Sequence, residues 1–225
     1  MTSTDPISRR NALLDAALAH VPFDGWSQPT FVAAAVDAGI PAAQARALCP
    51  RGALDLAVAY HRRGDGAIDA SALGDLRYSQ KVAALIRMRI TASDKDIVRK
   101  GMALFSLPHH AAEGGRLIWG TADAIWTALG DTSRDVNWYT KRATLSAVFG
   151  STVLYWLGDT SDGDQDTWDF LDRRIANVLQ FEKTKARVRA NGALSGLMAL
   201  PNALAAHIRA PAGVGRDDLP GGRQR

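Results

Sequence analysis

The chain has 225 residues, of which 47% are hydrophobic and 22% are charged, so it is long enough for one large domain or for a small module that shares its core with a helical body. The apolar residues are rich in alanine and leucine, which favours packed helices and predicts few or no strands. A single cysteine, Cys49, excludes a disulfide framework and a thiolate metal cage, and it favours a reducing compartment.

The formal net charge of +4 is distributed unevenly along the chain. Residues 1–63 hold six basic and five acidic side chains, residues 64–180 hold thirteen and fifteen, and residues 181–225 hold eight and three. Because neutralisation of phosphates supplies most non-specific affinity for nucleic acids, a DNA-reading module should carry the basic surplus. Here the surplus lies at the opposite end of the chain, which argues against a nucleic-acid partner.

The polar start, MTSTDPISRR, shows neither a secretory signal nor an anchor, so we expect a cytoplasmic protein.

Three short helices are predicted in the first fifty residues. A helical stripe of apolar residues at 13–18 predicts the first helix, which breaks at Val21, Pro22 and Gly25. The second helix begins after Ser27 or Gln28 and ends at Gly39, and the third runs from Pro41 to about Pro50. This spacing is typical of a helix-turn-helix.

A fourth helix is predicted from about Gly52 to Arg63. Its last turn, HRR, carries cations and is followed by Gly64. We interpret this pattern as compensation of the helix dipole together with a glycine cap after the helix, in preference to a functional site.

Five longer helices are predicted in the body of the chain, at residues 76–91, 95–106, 109–129, 135–157 and 165–190. A last helix, at 192–208, is interrupted by Pro201. The sequence therefore predicts an all-α bundle of about nine or ten helices. Its predicted parts are a helix-turn-helix-like module at 1–64, a body at 65–190, a C-terminal amphipathic helix at 191–209 and a disordered tail at 210–225.

The sequence lacks the residues that catalysis or a metal site would need. Glu113 and Glu182 are its only glutamates, which excludes a carboxylate di-iron bundle by count. The adjacent His109 and His110 diverge by about 100° on a helix and cannot face one metal. The acidic run at 158–172 lacks the glycine and the glutamate of a calcium loop, so we interpret it as a turn that starts a helix. We predict no enzyme, no catalytic residue, no metal and no cofactor.

Small residues follow one another along the helix predicted at 109–129. The small residues that leave space on that helix are Ala111, Ala112, Gly114, Gly115 and Gly120. Two interpretations stay open, since the glycines allow either close helix packing or the border of a cavity.

The helix predicted at 135–157 carries a continuous apolar face, on which Leu145, Phe149, Thr152 and Trp156 follow Trp138 at helical spacing. Most of that face is predicted to be core. Tyr139 lies one step round the helix, so the same neighbours cannot bury both Trp138 and Tyr139. We expect one of the two to be exposed or at an interface, and the alternative is that both are half-buried at the helix end.

A stretch of nineteen residues without formal charge lies between Arg189 and Arg209. Its asparagines, histidine, glycines and proline make it a poor membrane span. Its apolar residues recur at helical spacing after a basic segment, as in a helix that lies on an anionic membrane; the alternative is a helix that caps the core. The predicted membrane contacts are Leu194, Leu197, Met198, Leu204 and Ile208.

The run from Leu13 to His61 is similar in spacing to the N-terminal module of TetR-like regulators. In those proteins the short third helix enters the major groove of DNA. Here that helix is mostly alanine and offers only Gln44 and Arg46 to bases or phosphates.

Six sequence blocks in order resemble the ubiquinone-biosynthesis lipid-binding family of alphaproteobacteria and mitochondria. The resemblance covers residues from about 10 to about 190. The blocks are HVPFDGW (20–26), PRGALDLA (50–57), HRRGD (61–65), LPHH (107–110), DVNWYTKRATL (135–145) and DTWDFLDRRI (166–175).

This resemblance implies a TetR-like fold whose body encloses an apolar lipid pocket. It also implies no catalysis, and delivery of polyprenyl quinone intermediates to the di-iron demethoxy-ubiquinone hydroxylase. The NWYT block meets the hydroxylase in the family, which gives Asp135, Asn137, Trp138 and Tyr139 as partner contacts here. The family's C-terminal amphipathic helix touches the membrane.

Candidate residues for the lipid pocket come from two helices that we expect to pack together. Ordinary core is the alternative role for each of them. The candidates are Ile118, Trp119, Ile125, Trp126, Leu145 and Phe149.

We therefore expect a non-enzymatic protein that binds isoprenoid quinone intermediates or phospholipid and acts on the inner face of the cytoplasmic membrane. By analogy with TetR-like proteins we expect a homodimer. The alternative function is a TetR-like transcriptional regulator that senses an apolar ligand. Only the regulator should bind an operator through its N-terminal module with steep salt dependence.

Overall fold

The computed structural model describes residues 5–190, and this part of the chain contains ten α-helices, two short 3-10 helices and no strand. The all-α prediction is confirmed, and the body helices begin and end within two residues of their predicted bounds. The α-helices are α1 (Pro6–Leu18), α2 (Val21–Asp24), α3 (Gln28–Asp37), α4 (Ala42–Leu48), α5 (Ala53–Asp65), α6 (Tyr78–Thr91), α7 (Lys95–Phe105), α8 (Pro108–Ala128), α9 (Val136–Gly158) and α10 (Gln165–Ala190), and the 3-10 helices are Ser71–Leu73 and Asp162–Asp164.

Short polar side chains fix the start of four helices. Asp5, Ser27, Asp94 and Asp135 each precede a helix and accept a hydrogen bond from a backbone N–H in its first turn. Such caps satisfy donors that the helix itself leaves unpaired. The helix starts are therefore encoded locally, which explains why the sequence predicted the starts after Ser27, Asp94 and Asp135 closely.

The short helix α2 occupies a segment that was predicted to be a break. Pro22 lies in its first turn, where a proline costs no helical hydrogen bond, and Gly25 ends the helix with φ +66°. The prediction was wrong because it treated this proline as a helix breaker.

The end of α5 also differs from its predicted end. The helix continues through Asp65 and is capped by Gly66, and Gly64 is buried inside it. A Cβ atom on Gly64 would lie 2.4 Å from Nη1 of Arg89, so this position needs glycine for close approach. The interpretation of Gly64 as a cap after the helix was wrong.

The described helices enclose two buried apolar clusters. The first lies among α1–α5 and takes Ile97 from α7. The second lies in the body, among α6, α8, α9 and α10, and includes Ile125 and Trp156. Helix α5 also packs against α6 and α8, so it links the N-terminal module to the body.

The acidic run before α10 forms the predicted turn. Asp159 accepts hydrogen bonds from the backbone N–H and the hydroxyl of Thr167, which hold the pKa of this carboxyl well below its usual range. Asp164 adopts φ +57° and accepts from Nζ of Lys95 at 2.7 Å and from Nε1 of Trp156 at 2.9 Å. These carboxylates fasten the start of α10 to α7 and α9.

Candidate functional site

A buried arginine joins α5 and α6 at the centre of the body. Arg89 is 4% exposed, and its guanidinium makes three hydrogen bonds. Nε donates to Oδ1 of Asp65 at 2.6 Å, Nη1 to the hydroxyl of Ser93 at 2.8 Å and Nη2 to the carbonyl of His61 at 2.8 Å. A buried cation is tolerated when its charge is paired and its donors are used, and both conditions hold here.

His61 completes this polar network through α8. The hydroxyl of Thr121 donates to Oδ1 of Asp65 at 2.8 Å, so it accepts from Nε2 of His61, which lies 2.9 Å away. Burial, followed by the nearby charge of Arg89, lowers the pKa of His61 from 6.5 to about 4. The imidazole is therefore neutral at pH 7. The HRRGD segment is thus part of a buried polar network as well as the end of a helix.

The network lies beside a cavity of about 170 Å³ lined by residues of α5, α6, α7, α8 and α9, and by Trp26, which precedes α3. We call it the first cavity. Its wall is mainly apolar and includes Ile97, Leu117 and Phe149. The polar side chains of Tyr60, His61, Arg89 and Ser93 border it, and each already has a hydrogen-bond partner in the protein. An apolar guest would therefore leave these polar groups satisfied.

Glycines contribute to the wall of the first cavity. Gly101, Gly114 and Gly150 line it, and a Cβ atom on Gly150 would meet Ile118 only at 3.9 Å. At Gly114 a Cβ atom would lie 2.8 Å from that of Phe105, so this glycine both borders the cavity and allows close packing. The two interpretations left open for Gly114 therefore apply together.

A second cavity, of about 280 Å³, lies between α6, α9 and α10 and is closed on one side by Trp126 of α8. Leu145 and Val148 of α9 and Ile175 and Val178 of α10 form apolar parts of its wall. Helix α9 contributes to both cavities.

The structure distributes the six candidate lipid-pocket residues over four places. Ile118 and Phe149 line the first cavity, and Trp126 and Leu145 line the second. Ile125 is fully buried in the body cluster and lines neither of these two cavities. Trp119 packs in an aromatic group at the start of α9. Helices α8 and α9 pack together, as expected, but spacing alone did not separate one cavity from the other. The role of these residues in lipid binding stays a prediction.

The aromatic group at the start of α9 consists of Trp119, Trp138 and Tyr139. The ring centroids of Trp138 and Tyr139 lie 4.8 Å apart in edge-to-face geometry, and Trp119 lies 5.9 Å and 6.4 Å from them. Both α9 aromatics are half-buried. Neither ring is exposed, which matches the alternative that both are half-buried, because Trp119 of α8 packs against both. A role for either ring at an interface stays a prediction.

A buried arginine packs against this aromatic group. The buried Arg142 lies 4.1 Å from the ring centre of Trp138 and donates to Asp123 and Asp131. Burial alone would raise the pKa of the Asp131 carboxyl, but its bonds to Lys141, a serine hydroxyl and Arg142 lower it to about 2. The start of α9 is thus held in place by an ion-pair cluster.

The other two candidate partner contacts lie at the N-terminus of α9. Asp135 is the N-cap: it accepts from the backbone N–H of Asn137 at 3.0 Å and from the side-chain amide at 2.9 Å. Both residues are exposed. Asp135 therefore shapes the helix start, whatever else it contacts.

Helix α4, at the position of a DNA-reading helix, exposes few groups for DNA. Gln44 and Arg46 are exposed, and the guanidinium of Arg46 lies 5.4 Å from the ring centre of Phe31. The remaining residues of the helix are alanines and a leucine.

The described part of the chain contains neither a membrane-spanning helix nor a cluster of metal ligands. None of its helices is long and apolar enough to cross a membrane. No group of three histidine, cysteine or carboxylate side chains within residues 5–190 is placed to hold a metal ion. The predicted membrane contacts Leu194, Leu197, Met198, Leu204 and Ile208, and the tail predicted from 210, lie outside the described residues.

The fold is that of TetR-family proteins. The structure is similar to the TetR transcriptional regulator from Nitrosomonas europaea ATCC 19718, with a TM-score of 0.62 and 20% sequence identity over 76% of this chain and 97% of that one. At this level of identity the likeness establishes the architecture alone. The chain is thus an all-α protein with a TetR-like fold and an apolar cavity in its body.

Comparison of the sequence with known proteins identifies its relatives more narrowly than the fold does. Residues 111–182 match the COQ9 family model. The chain is 27% identical over 208 residues to the mitochondrial ubiquinone biosynthesis protein COQ9 of Bos taurus, and 30% identical over 203 residues to that of Xenopus tropicalis. These alignments cover 84% and 83% of this chain. The chain is similar to these COQ9 proteins, as the six sequence blocks indicated, and it spans 64% and 63% of the length of these two relatives.

Proposed function

We propose that this chain acts in ubiquinone biosynthesis as a non-catalytic carrier, which binds an isoprenoid quinone intermediate and presents it to the di-iron demethoxy-ubiquinone hydroxylase. The observation that carries the proposal is the apolar first cavity, enclosed by five helices of the body. The names of the COQ9 relatives support the pathway, and the matching segment 111–182 contains most of α8 and all of α9, which line that cavity. We further propose that the chain works at the inner face of the cytoplasmic membrane, through the C-terminal segment that holds Leu194 and Ile208.

A cavity of this chemistry suits a hydrocarbon chain. Transfer of apolar surface out of water is favourable, and a prenyl tail offers no polar group that would need a partner. The buried Arg89 and His61 at the edge of the cavity have their hydrogen bonds inside the protein, so an apolar guest takes none of them away. The cavity can therefore be filled without desolvating an unpaired charge.

The size of the first cavity limits what it holds at rest. An engineered cavity of about 150 Å³ binds benzene, so one of about 170 Å³ holds a single ring or a short piece of prenyl chain. A long tail requires the helices to part. Leu154 lines the cavity and is 60% exposed, which places an opening on this side of α9. We propose that the tail enters beside Leu154.

The proposal is tested by filling the first cavity through its glycine wall. Gly150→Leu places a side chain where the nearest neighbour of a Cβ atom is Ile118 at 3.9 Å. We expect native mass spectrometry of the purified variant to show at least a fivefold lower fraction of protein with bound isoprenoid or phospholipid. Gly120→Leu is the matched control, since Gly120 is exposed, lines neither cavity and has open space at its Cβ position.

Two outcomes would contradict the carrier proposal. One is an equal lipid load in the two variants, which would show that bound lipid lies elsewhere. The other is a wild-type chain that purifies without lipid and takes up none from vesicles that contain a polyprenyl quinone.

A further inference from the structure

The two cavities follow one another along helix α6. Tyr78 and Val82 line the second cavity, and Arg89 and Ile90 line the first. Residues three or four positions apart share one face of a helix, so both cavities lie against the same face of α6. At a rise of about 1.5 Å per residue, the stretch from Tyr78 to Ile90 spans about 18 Å. The two cavities together are therefore long enough for several isoprene units in line.

Helices α8 and α9 carry the cavities in a matching order. On α8, Ile118 lines the first cavity and Trp126, about two turns further along, lines the second. On α9, Leu145 lines the second cavity and Phe149, about one turn further along, lines the first. Helices α8 and α9 pack together, so the two cavities lie in tandem along this pair.

A layer of buried aliphatic side chains lies between the two cavities. On α6 it consists of Leu85 and Ile86, and on α8 of Ala122 and Ile125, each between the stretches of its helix that line the cavities. All four residues are fully buried in the body cluster, and none lines either cavity. Because these side chains are hydrocarbon, a change of rotamer within the layer breaks no hydrogen bond. Ile125, the lipid-pocket candidate that lines neither cavity, belongs to this layer.

Each cavity also has residues that reach solvent. Leu154 lines the first cavity and is 60% exposed, and Tyr78 and Leu179 line the second and are 52% and 44% exposed. A chain that enters beside Leu154 and passes the aliphatic layer therefore reaches a second opening beside Tyr78. Its length is not limited by the volume of the first cavity.

We propose that the two cavities form one site for a single isoprenoid chain, which extends from the first cavity into the second by displacing the layer around Ile125. This inference rests on the proposed carrier function and adds a basis for selecting chain length. A short chain is held by one cavity, whereas a longer chain gains affinity by burying further apolar surface in the second. Ile125 is thus a specificity-determining residue for long chains.

The test compares geraniol with geranylgeraniol, which has twice as many isoprene units, on the full-length delipidated chain. Gly150→Leu fills the first cavity, and Val178→Phe fills the second from α10. Each substitution should weaken the binding of geranylgeraniol about fivefold or more, because each blocks one part of the same molecule. Both variants should still bind one molecule of geraniol, because each keeps one cavity intact.

Ala176→Phe is the matched control for Val178→Phe. Ala176 is an exposed residue of α10 that lines neither cavity, so the added ring should leave the affinity for both alcohols within twofold. Native mass spectrometry gives the stoichiometry in the same samples. Wild type should hold one molecule of geranylgeraniol per chain at saturation, because one molecule occupies both cavities.

Ile125→Val tests the aliphatic layer itself, since it removes one methylene from the layer and keeps it hydrocarbon. In stopped-flow mixing, geranylgeraniol should associate about two- to fivefold faster with this variant than with wild type, and geraniol at an unchanged rate. Ile40→Val is the matched control, because Ile40 is buried in the N-terminal cluster and lines neither cavity. It should change neither rate.

Two molecules of geranylgeraniol per wild-type chain would show two separate sites and overturn the proposal. Unchanged affinity of Val178→Phe for geranylgeraniol, together with weaker binding by Gly150→Leu, would also overturn it while leaving the carrier function in place. An unchanged association rate for Ile125→Val would rule out passage through this layer. Wild-type binding of both alcohols by Gly150→Leu would instead contradict the carrier function and this inference alike.

Discussion

At the scale of single residues, the contact between Gly64 and Arg89 determines how closely α5 and α6 approach. A Cβ atom at Gly64 would lie 2.4 Å from Nη1 and 2.5 Å from Cζ of a guanidinium that is buried and uses all its nitrogens. Gly64→Ala must displace this group and break part of the network. We expect it to lower the free energy of unfolding by about 2–3 kcal/mol, measured by urea denaturation.

The matched control for Gly64→Ala is Gly115→Ala on α8. Gly115 is exposed and has open space around its Cβ position, so only the difference in helix propensity acts there. We expect this variant to gain up to about 1 kcal/mol. If Gly64→Ala stabilised the protein as Gly115→Ala does, the inference that a Cβ atom at Gly64 displaces the Arg89 guanidinium would be wrong.

His61 should make stability depend on pH in a defined window. Burial, followed by the charge of Arg89, lowers its pKa from 6.5 to about 4 in the folded state, so the unfolded chain takes up the proton first as pH falls. The contribution of neutral His61 is therefore complete above pH 6.5 and is lost between about 6.5 and 4. His61→Gln keeps a donor for Thr121 and does not titrate.

Urea unfolding of wild type and His61→Gln at pH 7 and pH 4.5 measures this effect. Carboxylate titration contributes to both proteins, so the difference between them isolates the histidine. We expect wild type to lose about 2 kcal/mol more than the variant over this range, an order-of-magnitude figure from the size of the shift. Parallel losses would mean that His61 titrates normally in the folded protein.

The sequence did not reveal this network because its members are far apart in the chain. Asp65 and Arg89 lie 24 positions apart, and Thr121 lies 56 positions beyond Asp65. The local pattern of HRRGD fits a charged helix end as well as a buried ion pair. Only the packing of α5 on α6 and α8 distinguishes them.

At the scale of elements, the helices were predictable because their signals are local. The caps Ser27, Asp94 and Asp135 and the apolar stripe of α9 lie within a few residues of what they determine. Leu145, Phe149, Thr152 and Trp156 are all buried, as the stripe predicted. The exposure of Trp138 and Tyr139 was not predictable, since it depends on Trp119 from a neighbouring helix.

The start of α9 gives a prediction about the proposed partner. Trp138 and Tyr139 are half-buried on an ion-pair-braced helix end, so they offer a rigid aromatic surface of the kind that dominates protein interfaces. We expect Trp138→Ala with Tyr139→Ala to weaken binding to the demethoxy-ubiquinone hydroxylase at least tenfold, measured by surface plasmon resonance.

Tyr155→Ala is the control for this surface. Tyr155 lies on the same helix, is 39% exposed and stacks on Phe170, outside the NWYT block. It should leave the affinity for the hydroxylase within twofold. A double variant that retains its affinity, or one whose melting temperature collapses, would show that the aromatic pair serves the core of the body instead.

At the scale of the whole molecule, the chain has a TetR-like fold, but its N-terminal module lacks the surplus of basic side chains that a DNA-reading module should carry. Of the six basic residues among residues 1–63, Arg10, Arg51 and Arg63 make hydrogen bonds within the protein. Arg51 alone contacts both Asp55 and Glu113. The fold could be inferred from helix spacing, and the charge distribution follows directly from the sequence. The pairing of these arginines required the structure.

This pairing sets a limit on DNA binding by the N-terminal module. Three basic side chains, Arg9, Arg46 and Arg62, remain to neutralise phosphates, and each contact contributes about −0.9 to the slope of log affinity against log salt concentration. We therefore expect a slope no steeper than about −3 per chain for the contribution of this module, and no preference for any sequence at physiological salt. Fluorescence anisotropy with random and genomic duplexes across 50–300 mM salt measures both quantities.

Gln44→Ala with Arg46→Ala distinguishes the carrier from a regulator in the same assay. These are the side chains on α4 with base-reading chemistry, and both are exposed. If the chain is a carrier, the double variant should lose no more DNA affinity than one phosphate contact supplies. The lipid load in native mass spectrometry should stay the same. A regulator would lose a sequence preference of 10³-fold or more, because specific binding exceeds non-specific binding by that margin. Such a preference in wild type, abolished by the variant, would assign the cavity to ligand sensing instead of transport.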